Sequence, residues 1–475
     1  MTASRQVVAW IVGSILLALS PSTSLAQSSS APDWSGLEAE TMEHFQALLR
    51  LDTSNPPGNE TRAVDYLRGV LEREGVPVQT YALDPNRANL VATLRGNGAR
   101  RPLLLMAHTD VVTVIPERWT HPPFAATRAD GYVYGRGAID DKDSVVAALM
   151  IMLMLKRLDV PLARDVIFLA ESGEETGTQF GIEFMVREHW PAIEAEYCLA
   201  EGGSVRREGG QIRYGGIATL EKVPRAIVLT AAGPSGHGSI PLLGNAIVRL
   251  GAALVALQDW DAPVRLNETT QAYFTRLGGL VPEDQREPFR DVLSGNATRA
   301  RAALEYFREN RPADAAILRA SISPTIIDGG NQSNVIPSQA IVRLDVRMLP
   351  DDDHDEVLES IRRTINDPLI TAEFALATFR PPGGTSIDTE AFRALETNVR
   401  EHYGVVAIPT MLTGATDMAY LRARGMSCYG MGPLVDAEDG LLGYGAHGDQ
   451  ERILEAELHR FVRFFWDVAT DIAAN

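Results

Sequence analysis

Nine histidines occur in the 475 residues, few enough to weigh one by one. His108 stands directly after the wholly apolar run Leu103–Ala107, within MAHTDVV. Such a run reads as a strand buried on both faces. In parallel α/β sheets, ligands gather at the carboxyl ends of the strands. Asp110, two residues on, is spaced to accept the second imidazole N–H, which fixes the tautomer and raises the basicity of a metal-bound histidine. His447 sits among small residues in GYGAHGDQERI rather than on an apolar face. His237, in GPSGHGSIP, has the same character.

The carboxylates follow the same pattern. Asp140, Asp141 and Asp143 crowd the start of a helix in YGRGAIDDKDS. Capping and the helix dipole favour acids there. Three in four residues exceed what capping needs, and like charges that close repel unless a cation neutralises them. A carboxylate bridging two metals is the sharper reading. Glu174 and Glu175 are adjacent in ESGEETGT, after the apolar run Val166–Ala170. On a loop, one can bind metal while its neighbour moves a proton. Glu201 follows the run Tyr197–Ala200 in CLAEGGS. His108, Asp140, Glu175, Glu201 and His447 thus form one imidazole–carboxylate set on successive strand ends. That donor set suits Zn²⁺, with Co²⁺ or Mn²⁺ as substitutes. Five ligands exceed one tetrahedral site, so two ions sharing a carboxylate is the economical count. Such a pair polarises a carbonyl and lowers a water's pKa towards about 7, the equipment for amide or ester hydrolysis.

The elements that must position these residues are legible in outline. Leu37–Leu51 and Ala63–Glu74 have helical apolar spacing, and Ser144–Leu158 is a long apolar helix. Strands alternating with helices predict a mixed, mostly parallel α/β sheet with helices on both faces. The texture changes near Pro224. A strand over Arg225–Ala232, a helix over Ala246–Gln258, a strand over Ala340–Met348, a helix over Asp355–Ile365 and a strand over Thr371–Thr378 predict a small inserted α+β domain. Residues 261–320 are polar, helical and rich in Arg and Glu, and enlarge that insert. The α/β texture resumes with a helix from Ser386 to His402, the strand Gly425–Tyr429 and a closing helix, Arg452–Ile472. The expected boundaries are a signal peptide over 1–26, a linker over 27–35, a catalytic domain over 36–223 and 381–475, and the insert over 224–380.

Composition excludes several classes. A net charge of −18 repels phosphate backbones and anionic lipid, so neither nucleic acid nor a membrane surface is an expected partner. Two cysteines, Cys198 and Cys428, rule out a disulfide scaffold and a cysteine-rich zinc module. Arg5, the uncharged run Val7–Leu19, Pro21 and Ser24-Leu25-Ala26 make a secretory signal cleaved after about Ala26. The expected location is therefore the periplasm or the exterior, with no stable membrane association after cleavage.

The motifs HTDVV, DGYVYGRGAIDDKDS, ESGEETG, CLAEGG, GPSGHGSIP, NVIPSQAIVRLDVR, TGATD and GAHGDQERI run in order from residue 108 to 453. With them the chain resembles the co-catalytic zinc aminoacylase/carboxypeptidase family, which includes carboxypeptidase S, glutamate carboxypeptidase, acetylornithine deacetylase and succinyl-diaminopimelate desuccinylase. Trp119–Lys142 is most similar to the carboxypeptidase S and N-acyl-amino-acid hydrolase branch. The resemblance implies that His108 and Glu201 hold one Zn²⁺, Glu175 and His447 the other, and that Asp140 bridges them beside a cis peptide to Asp141. It implies Glu174 as the general base acting on a metal-bridging water, and Asp110 as the partner that orients His108. His237 would polarise the scissile carbonyl, often from the second subunit of a homodimer formed through the insert, which is ferredoxin-like in this family. Asn334 and Arg347 would hold the substrate's carboxylate, with Gly414, Thr416 and the rest of Gly414–Asp417 lining that pocket. The chain departs from the family at Asp143, where many members have Gly, and at Gln450, where many have Asn. The implied activity is hydrolysis of the amide bond in short peptides or N-acyl amino acids carrying a free carboxylate.

Two other classes compete. A catalytically silent binding protein on the same fold requires a lost ligand or base, and none is lost. A metal-independent serine hydrolase around Ser235 or Ser239 requires G-x-S-x-G between a strand and a helix, and GPSGHGS is not that motif. A P-loop reading of GRGAIDDKDS fails for want of the Gly-Lys-Ser/Thr ending.

Overall fold

A computed structural model of the chain describes residues 1–2, 32–376 and 379–474. The expected signal peptide lies outside the described residues, apart from its first two, as does most of the linker. Among the described residues no helix is long and apolar enough to cross a membrane.

Among the described residues the large sheet has ten strands. Four central ones run parallel, in the order Val166–Glu171, Leu103–His108, Tyr197–Ala200 and Ser427–Gly430. Ala88–Leu94 and Val78–Ala82 extend one side antiparallel. Gln211–Glu221 extends the other, carrying Ser204–Glu208 antiparallel and Ala407–Leu412 parallel. The sheet is thus mixed, with its parallel pairs concentrated at the centre. Leu103–His108 shows why its centre is so apolar. Leu103, Leu105 and Ala107 enter the core beneath one face, while Leu104 and Met106 enter the core beneath the other. Period-two alternation between two buried faces leaves no polar position. The first face carries Trp34–Leu49, Thr61–Arg73, Lys142–Arg157, Glu390–Tyr403 and Glu455–Ala473. Lys142–Arg157 is apolar all round and buried along nearly its whole length, as a helix beneath other helices must be. The second face carries Ile182–Glu188 and Met418–Arg422.

A second, antiparallel sheet is built from Val223–Pro224, Ile227–Ala232, Ser321–Asp328, Gln339–Met348 and Ile370–Phe374. Helices Ala246–Gln258 and His354–Ile365 cover one face, joining Leu250, Leu257, Leu358 and Ile361 to Ile227, Leu229, Val342 and Leu344. Ser321–Asp328 is an edge strand, largely exposed.

Residues 261–320 differ from the expectation that they enlarge the insert. Their helices gather Tyr273, Phe274, Phe289 and Phe307 into a core shared with Leu220, Ile408 and Met411 of the large sheet. Polar composition hid an aromatic cluster assembled from three separate helices. The closing segment also differs. Arg452–Leu454 is a strand, and the helix begins at Glu455. That strand pairs with Tyr132–Tyr134, which pairs with Thr127–Ala129. This small sheet joins the loop before Arg452 to the segment that leads into Asp140.

Candidate metal centre

The parallel centre of the large sheet ends on one edge, and the chain delivers the chemistry there. His108 is the last residue of its strand, in register with Glu171. Glu174 and Glu175 lie on the loop after Glu171, and Glu201 follows Ala200. Asp140 precedes helix Lys142–Arg157, and His447 lies on the loop before Arg452 with a left-handed φ of 62°. The structure therefore brings His108, Asp140, Glu175, Glu201 and His447 together, with Glu174 beside them.

The geometry separates them into two halves about one carboxylate. Asp140 Oδ1 lies 3.1 Å from His108 Nε2, and Asp140 Oδ2 lies 3.1 Å from His447 Nε2. Glu201 Oε2 is 3.9 Å from His108 Nε2, while Glu175 Oε1 is 3.1 Å from His447 Nε2. Donor atoms of His108, Asp140 and Glu175 fall within 4.8 Å of one another, as do those of His108, Asp141 and Glu201. Asp141 Oδ2 is also tied to the chain, accepting from the His108 backbone N–H at 3.1 Å. The Asp140–Asp141 peptide is cis.

The charge state tests whether this set fits cations. Burial would lower the His108 pKa, but Asp110 and Asp140 outweigh it and hold it well above the usual range. Bonds to Asp140 and Glu175 push His447 up to about 10. Burial raises Glu201 well above the ordinary carboxylate range. The protons held on these two histidines are what divalent cations between them and the carboxylates would replace. The donors are imidazole and carboxylate with no thiolate, which fits zinc-like ions.

Two buried carboxylates outside the ligand set hold the loops. Asp110 is fully buried. Its Oδ1 accepts the N–H groups of Gly173 at 3.0 Å and Glu174 at 3.2 Å. Its Oδ2 accepts Glu175 N–H at 3.2 Å and Asn55 Nδ2 at 2.8 Å. Its contact with the His108 ring is the weaker one, 3.5 Å to Nδ1, which lies 3.0 Å from the Asp110 backbone oxygen. Burial would raise Asp110, but the donors around it, His108 foremost, hold it low. Asp110 thus shapes the Glu174–Glu175 loop as much as it orients His108. Glu451 does the same on the far side. It accepts from Arg136 Nη1 at 2.6 Å, Gly137 N–H at 3.1 Å and Ile139 N–H at 2.9 Å, fastening the approach to Asp140 onto the His447 loop.

A cavity of about 500 Å³ opens over the centre, walled by the metal-set carboxylates, His447, Arg347, Arg380 and Leu412–Thr416. Arg347 reaches it while its Nε donates to Asp345 at 2.9 and 3.1 Å. A Cβ on Gly414 would meet nothing within 4 Å, so that wall is open to a ligand. Thr416 lines the cavity, but its hydroxyl is engaged elsewhere, donating to Glu221 at 2.8 Å. Burial raises the Glu174 pKa, and Arg380 opposes it.

His237 and Asn334 are not among the residues that line this cavity. They adjoin each other on a short pairing, Gly236–His237 with Val335–Ile336, and both are exposed. Ser239 Oγ lies 2.7 Å from His237 Nδ1, but no carboxylate pairs with that histidine among the described residues, so no Ser-His-acid arrangement forms. Cys198 and Cys428 meet in register on neighbouring strands, buried and unbridged. Sequence reasoning missed Arg380, Asn55, Arg136 and Glu451. Glu451 lies inside the GAHGDQERI motif and was within reach; Arg380 stands in TFRPPGG with no local pattern.

The profile described as peptidase family M20/M25/M40 matches residues 104–471. Aminoacylase-1 of Sus scrofa is 25% identical over 436 residues, 90% of this chain and 94% of that one. The N-fatty-acyl-amino acid synthase/hydrolase of Homo sapiens is 28% identical over 388 residues, 79% of this chain and 75% of that one. Among solved structures, an M20 family metallo-carboxypeptidase from Sulfolobus solfataricus superposes with a TM-score of 0.69 at 18% identity, covering 90% of this chain and 98% of its own. A dinuclear metal binding peptidase of the M20 family from Bacillus subtilis gives 0.57 at 15% identity, covering 92% and 99%.

Proposed function

Because the chain belongs to peptidase family M20/M25/M40, we propose that it hydrolyses the amide bond of short peptides or N-acyl amino acids that carry a free carboxylate. The observation that carries this reading is Asp140, whose two oxygens each face a different histidine at 3.1 Å. His108, Asp140 and Glu201 would hold one cation, and His447, Asp140 and Glu175 the other, with Zn²⁺ the ion we propose. Such a pair, when bound, polarises the scissile carbonyl and acidifies a water. Glu174, on the cavity wall, is placed to accept a proton and to return it to the leaving amine. Arg347 supplies a cation for the substrate's carboxylate. Since the chain carries −18, its overall field repels anionic substrates, and recognition must be local.

We also propose a homodimer through the inserted sheet. Ile247, Val248 and Val255 on its covering helix, and Ile326 and Ile327 on its edge strand, are all exposed apolar side chains. Association there would give His237 and Asn334, absent from their own chain's cavity, a place over the partner's. Light scattering should show a dimer; a fully active monomer would overturn that role for His237. We further propose that residues 1–26 direct export; the intact mass of secreted protein, expected to begin at about Gln27, checks it.

The deciding experiment is a panel of Gly-Xaa dipeptides and N-acyl amino acids, assayed with chelator and with Zn²⁺ returned. Hydrolysis should vanish with chelation, return with metal, and fall at least about 100-fold for substrates whose carboxylate is amidated. Activity that survives metal removal would overturn the reading, as would a metal-loaded protein inert on every amide.

A further inference from the structure

We propose that Arg380 is a positioning residue: it pins one oxygen of Glu174 and ties that base to the loop forming the carboxylate pocket. The proposal rests on the hydrolase reading above. Arg380 lies on the segment that leaves the inserted sheet after Ile370–Phe374 and rejoins the large domain at Thr385, whose hydroxyl donates to the Cys428 carbonyl. Its side chain is only 17% exposed and donates in two directions. Nη2 donates to Glu174 Oε1 at 3.1 Å and to the Glu174 carbonyl at 3.2 Å. Nη1 donates to Asp417 Oδ1 at 2.8 Å. Asp417 is buried and directly follows Gly414–Thr416, which line the cavity over the metal centre.

A guanidinium is a rigid planar fork, so fixing one arm fixes the other. With Nη1 held by Asp417, Nη2 sets where Glu174 Oε1 sits. Among the described residues no hydrogen bond engages Glu174 Oε2, leaving that oxygen for the proton-transfer step. The terminal torsion of a free glutamate is broad, so without the pin the oxygen sweeps a wide arc. Proton transfer needs heavy atoms within about 2.6–3.2 Å. Losing the pin should therefore slow the chemical step while leaving substrate binding intact. No spacing in the sequence foretells this, because Glu174 and Arg380 are 206 residues apart.

The test compares Arg380→Ala, Arg380→Lys and Asp417→Asn in the metal-loaded enzyme. The readouts are kcat and KM on the best panel substrate, metal stoichiometry, and calorimetric affinity for a non-cleavable isostere. Arg380→Ala should lower kcat by about 10–100-fold, with KM and isostere affinity within about threefold and metal content unchanged. Arg380→Lys should recover part of the loss, and added guanidinium should speed Arg380→Ala but not the parent. Asp417→Asn, which loosens the fork without removing it, should lower kcat by about 3–10-fold at normal metal content. It also serves as the test should Arg380→Ala fail to fold. A loss carried by KM and isostere affinity would make Arg380 a substrate clamp and overturn the proposal. An unchanged kcat in Arg380→Ala, or in Asp417→Asn, would overturn it too. A parent protein inert on every amide strikes the hydrolase reading itself, before any variant is compared.

Discussion

Asp110→Asn is the change that best tests how the centre is held. The substitution conserves shape and replaces one acceptor oxygen with an NH₂ donor. Either choice of oxygen is bad. In the place of Oδ1 the new donor faces Gly173 N–H and Glu174 N–H; in the place of Oδ2 it faces Glu175 N–H and the Asn55 amide. At least two charge-assisted bonds disappear from a fully buried site. At roughly 1.5–3 kcal/mol each, the loss is about 3–6 kcal/mol, a large part of the 5–15 kcal/mol that typically separates folded from unfolded states. The loop can escape part of that cost by moving, and the movement carries Glu174 and Glu175 with it. Asp110→Asn should therefore lower the urea midpoint of the metal-free protein. It should also weaken metal binding on the Glu175 side and cut kcat by more than about 100-fold. Unfolding of Asp110→Asn within about 1 kcal/mol of the parent, with two metals bound, would refute the reasoning.

Two other outcomes follow from the same kind of contact. Glu451→Gln breaks a buried ion pair with Arg136, both side chains at most 2% exposed, and should cost about 3–5 kcal/mol. It should also weaken the cation on the His447 side by about 10–100-fold while sparing the His108 side, which a metal titration resolves as one tight and one loosened site. Burial pushes Lys222 down to about 7. Between pH 7 and the ordinary lysine value near 10.5 the unfolded chain holds the extra proton, so stability should rise with pH across that window. The rise from Lys222 amounts to about 5 kcal/mol in full. Lys222→Met also strands the Ala316 and Arg319 carbonyls that accept from Nζ, a pH-independent offset. The readout is therefore the slope of stability against pH, which should flatten by about 1.4 kcal/mol per pH unit relative to the parent. Equal slopes would show that Lys222 is not the titrating group.

What could be read in the sequence was what local burial dictates. His108 and Glu201 were legible because a buried strand must be apolar to its end, so the first polar residue after the run marks the sheet's edge. Ala407–Leu412 was not legible as a strand, since Pro409 interrupts the pattern. Among the described residues that strand pairs only with Gln211–Glu221, which makes it an edge strand, where a proline is tolerated. The harder failure concerns acids. Asp110, Asp140, Glu175, Glu201 and Glu451 are chemically alike, yet they divide into carboxylates that face histidines and carboxylates that face N–H groups. Asp110 and Glu451 are saturated by donors from the chain and have no need of a cation. Among the described residues Asp140 has two histidines to satisfy it, and each of those faces a second acid. That division depends on which backbone amides a loop turns inward, information that arises when strands from distant parts of the chain are laid in register. Glu451 meets Arg136 across 315 residues, a separation no window of sequence spans. The acids that hold loops and the acids that would hold metal are therefore separable by counting donors. By that count Glu174, with one oxygen on Arg380 and no hydrogen bond to the other among the described residues, belongs to neither group, which suits the proton-exchanging role proposed for it.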